Sequence, residues 1–170
     1  TAEMAIQAAL TGHLVLSTLH TNDAPSAISR LLELGVPHYL IKATVLGVMA
    51  QRLVRTLCPH CKAPQTLGEE DWQSLTRPWQ APLPGNAQRA IGCLECRDTG
   101  YHGRAGVYEI MQLSDGLKAL INPDTDLLAV RRQAFKEGMR SLRLSGAQKV
   151  AAGLTTIEEV LRVTPQSEQK

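Results

Sequence analysis

The sequence predicts a mixed α/β fold from three observations. Residues 13–20 form a short apolar run without polar alternation, which is typical of a strand buried on both faces. Segments with helical spacing of apolar residues lie on either side of this run. A second β-rich run, residues 103–111, returns from an insert that contains all four cysteines. A buried strand between helices indicates helices layered on a sheet.

The predicted helices begin and end at residues with strong capping preferences. Gly12 and Gly35 follow the first two helices. Pro37 opens the third, which we extend to residue 57 because apolar residues recur near helical spacing. The last helix begins with a capping box from Thr155 to Glu158. The predicted helices are 2–11, 26–34, 37–57, a short 69–75 in the insert, 114–121, 125–138, 141–152 and 155–162.

The composition is that of a soluble globular protein. Of 170 residues, 44% are hydrophobic and 20% are charged, and the net charge is +2. Balanced charge, with only two Trp, three Tyr and one Phe, lacks the basic stripe and the stacking platform of a nucleic-acid binder, so we expect no nucleic-acid partner. The longest apolar run, residues 43–50, is too short to span a bilayer.

The start of the chain indicates a fragment. The sequence begins with Thr1 instead of Met, inside a helical pattern and without a signal peptide. We therefore expect a piece of a longer protein, with part of its active site outside this chain.

Two Cys-x-x-Cys pairs are the most specific feature. They are Cys58-Pro-His-Cys61 and Cys93-Leu-Glu-Cys96, separated by 31 residues rich in proline. Paired thiolates on two turns suit a tetrahedral zinc ion, and four thiolates leave no open coordination position. We expect one structural Zn²⁺ per chain that folds an insert spanning residues 58–104.

Other uses of the cysteines stay open at this point. One pair could be a redox dithiol, although neither follows a clear strand of a βαβ unit. Two disulfides would need an oxidising compartment. His60 and His102 lie near the pairs, and we expect both to be exposed polar residues because four thiolates already complete a tetrahedron.

Two histidines bracket the first predicted strand. His20 lies at its carboxyl end, where open α/β sheets bind ligands, and His13 lies at the other end. Thr21 follows directly, ahead of a helix start. The alternative is that His20 and Thr21 only cap the turn and the helix behind it.

Several motifs in order resemble one family. Residues 12–23, Gly-His-Leu-Val-Leu-Ser-Thr-Leu-His-Thr-Asn-Asp, look like the histidine box of bacterial secretion ATPases. Residues 50–61 with the first cysteine pair, the second pair, and residues 99–109 narrow the resemblance to type II secretion ATPases and the related type IV pilus assembly ATPases. Residues 126–139 are similar to the family's C-terminal helical motif.

The resemblance implies the C-terminal part of a RecA-like P-loop ATPase core with an inserted zinc module and a helical tail. The whole protein would be a homo-hexamer that uses ATP and Mg²⁺ at the cytoplasmic face of the inner membrane, with membrane platform proteins as partners. Hydrolysis would drive pseudopilus assembly and protein export, or pilus assembly. The sequence contains no Gly-x-x-x-x-Gly-Lys-[Ser/Thr], so we expect this chain to be inactive alone. The other class of function is a stand-alone zinc-ribbon binding module.

The resemblance also suggests roles for single residues. His20, with His13 as its partner, would sense or stabilise a γ-phosphate. Thr21, Arg30, Arg52 and Arg55 are candidates for phosphate or neighbouring-subunit contacts, because guanidinium groups bind oxyanions. Surface salt bridges on helix flanks are the alternative for the arginines. The expected domains are 1–57 (part of the ATPase core), 58–104 (zinc module) and 105–170 (returning strand and helical subdomain).

Overall fold

The computed structural model describes residues 2–165. Thr1, on which the expectation of a fragment partly rests, and residues 166–170, the end of the expected helical subdomain, lie outside the described residues. The described elements are α1 (Ala2–Leu10), α2 (Ser26–Glu33), α3 (His38–Thr44), β1 (Gly47–Leu57), β2 (Ala63–Pro64), α4 (Glu69–Thr76), β3 (Gln88–Arg89), a 3₁₀ turn (Leu94–Cys96), β4 (Tyr101–Gln112), α5 (Asp115–Leu120), α6 (Leu127–Lys136), α7 (Leu142–Ala151) and α8 (Ile157–Val163). The mixed α/β class is confirmed.

The chain divides into two compact units. One comprises Thr1–Ala50 with Glu109–Arg140, and the other comprises Gln51–Tyr108 with Ser141–Lys170. Both units therefore combine segments from before and after the cysteine insert. The insert itself belongs to the second unit, together with the last two helices.

Strands β1 and β4 pair as a two-stranded sheet. Hydrogen bonds at the two ends, from Leu113 N–H to Leu46 O and from Cys58 N–H to Gly100 O, show that the strands run antiparallel. The insert is thus a long excursion between two paired strands. Its own short strands, β2 and β3, pair antiparallel and place Ala63 opposite Arg89.

Each unit has its own apolar core. In the first, α5 packs on α6, and α3 contacts α1 and α2. In the second, α4 of the insert packs on α7 and α8, which also pack on each other. The fully buried side chains include Ile28, Ile41, Met111, Leu117, Ile121 and Val130 in the first unit and Val54, Leu75, Val107, Leu142, Val150 and Val160 in the second.

The predicted strand at residues 13–20 is not a strand in the structure. The segment is irregular, and Leu14 and Leu16 are 77% and 88% exposed. A strand exists only by pairing with a neighbour, and no other described strand pairs with this segment. The described residues therefore provide no neighbouring strand with which this apolar segment could form a sheet.

The predicted long helix at residues 37–57 is wrong beyond residue 44. Helix α3 ends at Thr44, and Val45 is already extended. Strand β1 then buries Ala50, Val54 and Leu57, because pairing with β4 decides the conformation of this β-branched segment. The spacing of the apolar residues in this segment fits a helix as well as a strand. The strand that decides between them, β4, lies about fifty residues downstream.

The other helix ends follow the predictions closely. Gly12 and Gly35 have φ angles of +92° and +81° at the ends of α1 and α2. The cap of α8 is shifted by one residue from the predicted capping box. Thr156 Oγ1 accepts from Glu159 N–H at 3.4 Å, whereas the hydroxyl of Thr155 donates to the carbonyl of Arg55 at 2.7 Å.

Candidate metal centre and candidate nucleotide site

Four thiols form a compact cluster in the second unit. The sulfurs of Cys58, Cys61, Cys93 and Cys96 all lie within 4.8 Å of one another. Individual Sγ–Sγ distances are 3.9 Å for Cys58–Cys93, 3.9 Å for Cys61–Cys96 and 3.7 Å for Cys93–Cys96. Four Zn–S bonds of about 2.3 Å place the sulfurs of a tetrahedral site about 3.8 Å apart. The cluster therefore fits a four-thiolate metal site.

Backbone N–H groups point at the sulfurs of this cluster. Gly92 N–H donates to Cys61 Sγ at 3.3 Å, and Gly100 N–H donates to Cys96 Sγ at 3.2 Å. Such bonds favour the thiolate form and orient it as a ligand. Gly100 has a φ of +75°, and a Cβ there would lie 2.6 Å from the Cβ of Ala90. Only glycine brings this N–H to the sulfur without displacing the neighbouring loop.

The environment drives the pKa values of two thiols apart. Burial raises the pKa of Cys96, but N–H groups of Cys93 and Gly100 and the neighbouring thiols outweigh it and lower the pKa to about 6. For Cys93 the amide of Cys96 lowers the pKa, whereas burial and the other three thiols raise it to about 11. Binding of a metal ion to all four sulfurs therefore displaces protons from the cluster.

The first cysteine pair is fastened to the segment between α7 and α8. Leu57 N–H, directly before Cys58, donates to Leu154 O at 2.8 Å. Lys62, directly after Cys61, donates from Nζ to Gly153 O at 3.0 Å. The cysteine cluster and the last two helices are therefore parts of one packed unit.

The alternatives for the cysteines and their neighbours can be compared with this geometry. The Sγ–Sγ distance of 3.7 Å between Cys93 and Cys96 is far from the bond length of about 2.05 Å in a disulfide, and all four cysteines are free. His60 and His102 are exposed, as expected, and lie outside the cluster.

The two histidines of the predicted nucleotide site are exposed in the first unit. His13 Nδ1 lies 3.0 Å from Thr11 Oγ1 and 3.3 Å from Ala8 O, at the C-terminal end of α1. His20 lies on the irregular segment ahead of α2. Among the residues that the structure describes, no contact brings His13 and His20 together.

The loop after His20 is tightly held. Thr21 is half-buried, and its hydroxyl donates to Asp23 O at 3.1 Å. Asp23 is 8% exposed, and its Oδ1 accepts at 2.9 Å from the N–H of Ser26, the first residue of α2. Its second oxygen, Oδ2, lies 2.6 Å from Arg131 Nη2. Glu109 Oε1 accepts from Ala24 N–H at 2.8 Å.

The three candidate arginines all have partners in their own unit. Arg30 forms a surface ion pair with Glu33 at 2.9 Å, the arrangement that we gave as its alternative. Arg52 lies on β1 and donates from Nη1 to Gln51 O at 2.8 Å. Arg55 pairs with the buried Glu159 at 2.6 Å. Thus Arg52 and Arg55 lie on a strand, not on the flank of a helix.

Sequence reasoning assigned no long-range contact to four charged residues that the fold brings into contact with the loop or with β1. They are Asp23, Glu109, Arg131 and Glu159, and all but Arg131 are buried. The only local signal was an Asp three residues ahead of a helical Ser, the N-cap pattern. The other contacts join residues 85 to 108 positions apart, which no local pattern encodes.

Comparison with known proteins assigns the family. Residues 1–162 match the family described as Type II/IV secretion system protein. The chain belongs to this family. The resemblance that the motifs indicated is thereby confirmed.

Individual relatives fall into two named groups. The chain is 53% identical over 165 residues to the type IV pilus assembly ATPase TfpB of Acinetobacter baylyi, which covers 97% of this chain and 28% of the relative. It is 48% identical to type II secretion system protein E of Pseudomonas aeruginosa, and this match covers 96% of this chain and 32% of the relative. It is 44% identical to the type II secretion system ATPase E of Vibrio cholerae, and this match covers 98% of this chain and 33% of the relative. The chain spans about a third of the length of these relatives.

A solved structure is similar in fold. The pilus retraction motor PilT with bound ADP superposes with a TM-score of 0.62 at 22% identity, over 99% of this chain and 37% of that one. The likeness supports the mixed α/β architecture. None of the helices in residues 2–165 is long and apolar enough to cross a membrane.

Proposed function

We propose that this chain is the C-terminal part of an ATPase that powers either type II secretion or type IV pilus assembly. The observation that carries the proposal is the family match over residues 1–162, combined with relatives that are named ATPases of these two machines. The proposed chemistry is ATP hydrolysis with Mg²⁺ in the whole protein. Without a phosphate-binding loop, the 170 residues alone do not turn over ATP.

The four-cysteine cluster is proposed to bind one structural Zn²⁺. Cys58, Cys61, Cys93 and Cys96 are its ligands, and Sγ–Sγ distances of 3.9, 3.9 and 3.7 Å support a tetrahedral ion. A closed set of four thiolates supplies folding free energy, not a reaction centre. The N–H groups of Gly92 and Gly100 hold two of the sulfurs in place.

The proposed nucleotide contacts are side chains that the structure leaves exposed or half-buried. His20 would donate a hydrogen bond to charge developing on the γ-phosphate, with Thr21 beside it. His13 fixes the end of α1 and acts as the partner of His20 through the segment that joins them. Arg30, Arg52 and Arg55 would meet phosphate or a neighbouring subunit only after exchanging their present partners.

The assembly is proposed from the relatives. The whole protein would form a homo-hexameric ring, act on the cytoplasmic side of the inner membrane and bind platform proteins of the same machine. Residues 1–57 would be the C-terminal part of the ATPase core, 58–104 would be the zinc module, and 105–170 would be the returning strand and the C-terminal helical subdomain. Export by type II secretion is the first candidate process. Pilus assembly is the second candidate, and it is supported by the 53% identity to the pilus assembly ATPase TfpB.

Two assays test this function. The first compares ATP hydrolysis by the longer protein that carries this chain with hydrolysis by the 170 residues alone; we expect turnover only in the former. Appreciable hydrolysis by the 170 residues alone contradicts the proposal. The second measures binding of the chain to generic DNA and RNA at several salt concentrations; tight, salt-dependent binding would favour a zinc-ribbon module instead.

A further inference from the structure

We propose that Arg131 is a positioning residue for the loop that follows His20. The inference rests on the proposed function, because the loop acquires its role from the nucleotide that His20 would contact. Arg131 lies on α6, far along the chain from the loop, and acts through Asp23 rather than on the nucleotide itself.

The ion pair is short and shielded. Arg131 Nη2 lies 2.6 Å from Asp23 Oδ2, and the side chains of Arg131 and Asp23 are 25% and 12% exposed. Charge-assisted hydrogen bonds in such surroundings are stronger and better oriented than surface pairs. Because the pair bridges 108 positions of sequence, it fixes the loop against α6 and not merely against its own helix.

Asp23 divides its two oxygens between two tasks. Oδ1 accepts at 2.9 Å from the N–H of Ser26, the first residue of α2, while Oδ2 accepts from Arg131. The backbone carbonyl of Asp23 also accepts from the hydroxyl of Thr21 at 3.1 Å. A shift of Asp23 would therefore move Thr21, which directly follows His20.

A second contact holds the adjoining residue. Glu109 on β4 is 4% exposed, and its Oε1 accepts from the backbone N–H of Ala24 at 2.8 Å. The loop is thus attached at consecutive residues to two elements that follow the cysteine insert. Both attachments lie inside the first compact unit. We call Asp23, Ala24, Glu109 and Arg131 the loop latch.

The latch predicts a defined kinetic phenotype. A reacting geometry that is set by the loop tolerates little displacement, since shifts of about 1 Å cost up to about 10²-fold in rate. Loss of the Arg131–Asp23 pair should therefore lower kcat more than it changes KM for ATP. It should also loosen the loop in a way that hydrogen exchange can measure.

The first arm uses the longer protein that carries this chain. R131Q and D23N, which keeps an oxygen at position 23 that can accept from Ser26 N–H, are each expected to lower kcat about tenfold with KM for ATP within about twofold. The double variant should be no worse than either single one, because both remove the same pair. R131K should recover part of the loss. R132Q, the same substitution at the exposed neighbour on α6, should leave kcat unchanged.

The second arm uses the 170-residue chain and needs no activity. In R131Q, amide exchange in a peptide covering residues 20–27 should rise at least about threefold, while exchange within α6 should stay as in R132Q. Increased exchange throughout α6 would mean that Arg131 only stabilises its helix and would overturn the inference.

The two arms separate the two proposals. If the longer protein hydrolyses ATP but R131Q and D23N match R132Q in kcat, the positioning role is refuted while the proposed function stands. If the longer protein has no ATPase activity, the proposed function fails, and the positioning role for a nucleotide fails with it. If the losses of kcat in R131Q and D23N add up in the double variant, the two residues act independently, which would also contradict the positioning role of the Arg131–Asp23 pair.

Discussion

Arg55 Nη2 donates to Glu159 Oε1 at 2.6 Å and thereby joins β1 to α8 across 104 positions of sequence. The guanidinium also lies 4.1 Å from the centre of the Tyr101 ring. Arg162 donates to the other oxygen of Glu159 at 2.7 Å. One buried carboxylate thus organises two arginines, and the predicted contact of Arg55 with phosphate would have to compete with it.

Replacing Glu159 should destabilise the second unit in a pH-dependent manner. Burial raises the pKa of Glu159, but hydrogen bonds from Arg55 and Arg162 outweigh it and hold the pKa below its usual value. A carboxyl whose pKa is lower folded than unfolded stabilises the fold above the unfolded pKa of about 4.3 and loses this contribution as the pH falls through the folded pKa. E159Q should cost about 1–3 kcal/mol at pH 7.

Urea unfolding of wild type and E159Q at pH 7, 5 and 4 tests this. The stability difference should persist at pH 7 and 5 and shrink below the unfolded pKa. E158Q changes an exposed neighbour and is the matched control, expected within about 0.5 kcal/mol of wild type. A difference between E159Q and wild type that is independent of pH would contradict the assignment.

Removing the metal should unfold more than the cysteine insert. Helix α4 of the insert packs on α7 and α8, and Lys62 and Leu57 bond to the segment between them. Since structural zinc contributes roughly 10–16 kcal/mol of apparent binding free energy in small modules, a chelator should release one Zn²⁺ per chain and expose α7 and α8 to exchange.

Metal analysis and hydrogen exchange check this prediction. C93S should lose the metal during purification, whereas H60A and H102A should retain one ion per chain because both imidazoles lie outside the cluster. Chain purified without chelator that carries no metal would refute the zinc site. Retained protection in α7 and α8 after zinc release would refute the coupling alone.

Gly146→Ala should destabilise the chain although alanine favours helices. Gly146 is buried on α7, and a Cβ there would lie 2.3 Å from Cγ1 of Val160 on α8. Helix propensity would give a gain of about 1 kcal/mol, but overpacking of a tight helix contact costs about 1–3 kcal/mol. We expect a net loss that V160A partly relieves in the double variant. Thermal unfolding of the four proteins in the cycle measures it, and a more stable G146A would contradict the close packing.

Local chemistry made part of this molecule predictable. The Cys-x-x-Cys spacing indicated the thiol cluster before any fold was known, because each pair needs only one turn. Gly12 and Gly35 marked the ends of α1 and α2 for a similarly local reason, the left-handed backbone at a helix C-terminus. The short insert helix and the returning strand were also found.

Non-local pairing decided the rest. Residues 47–57 fit a helix in isolation and become β1 because β4 lies alongside. Residues 13–20 read as a strand, yet no described neighbour pairs with them. The acidic partners of Arg55 and Arg131 are more than a hundred positions away, so the network around β1 and the loop latch had no signal within any short window.

Steady-state ATP hydrolysis by the longer protein, with His20 intact and with His20→Ala, tests the central claim most directly. If this chain supplies the histidine that meets the γ-phosphate, H20A should lower kcat at least about tenfold, while H60A on the cysteine module should hydrolyse at the wild-type rate. Equal rates for H20A and wild type, or a longer protein without ATPase activity, would contradict the account.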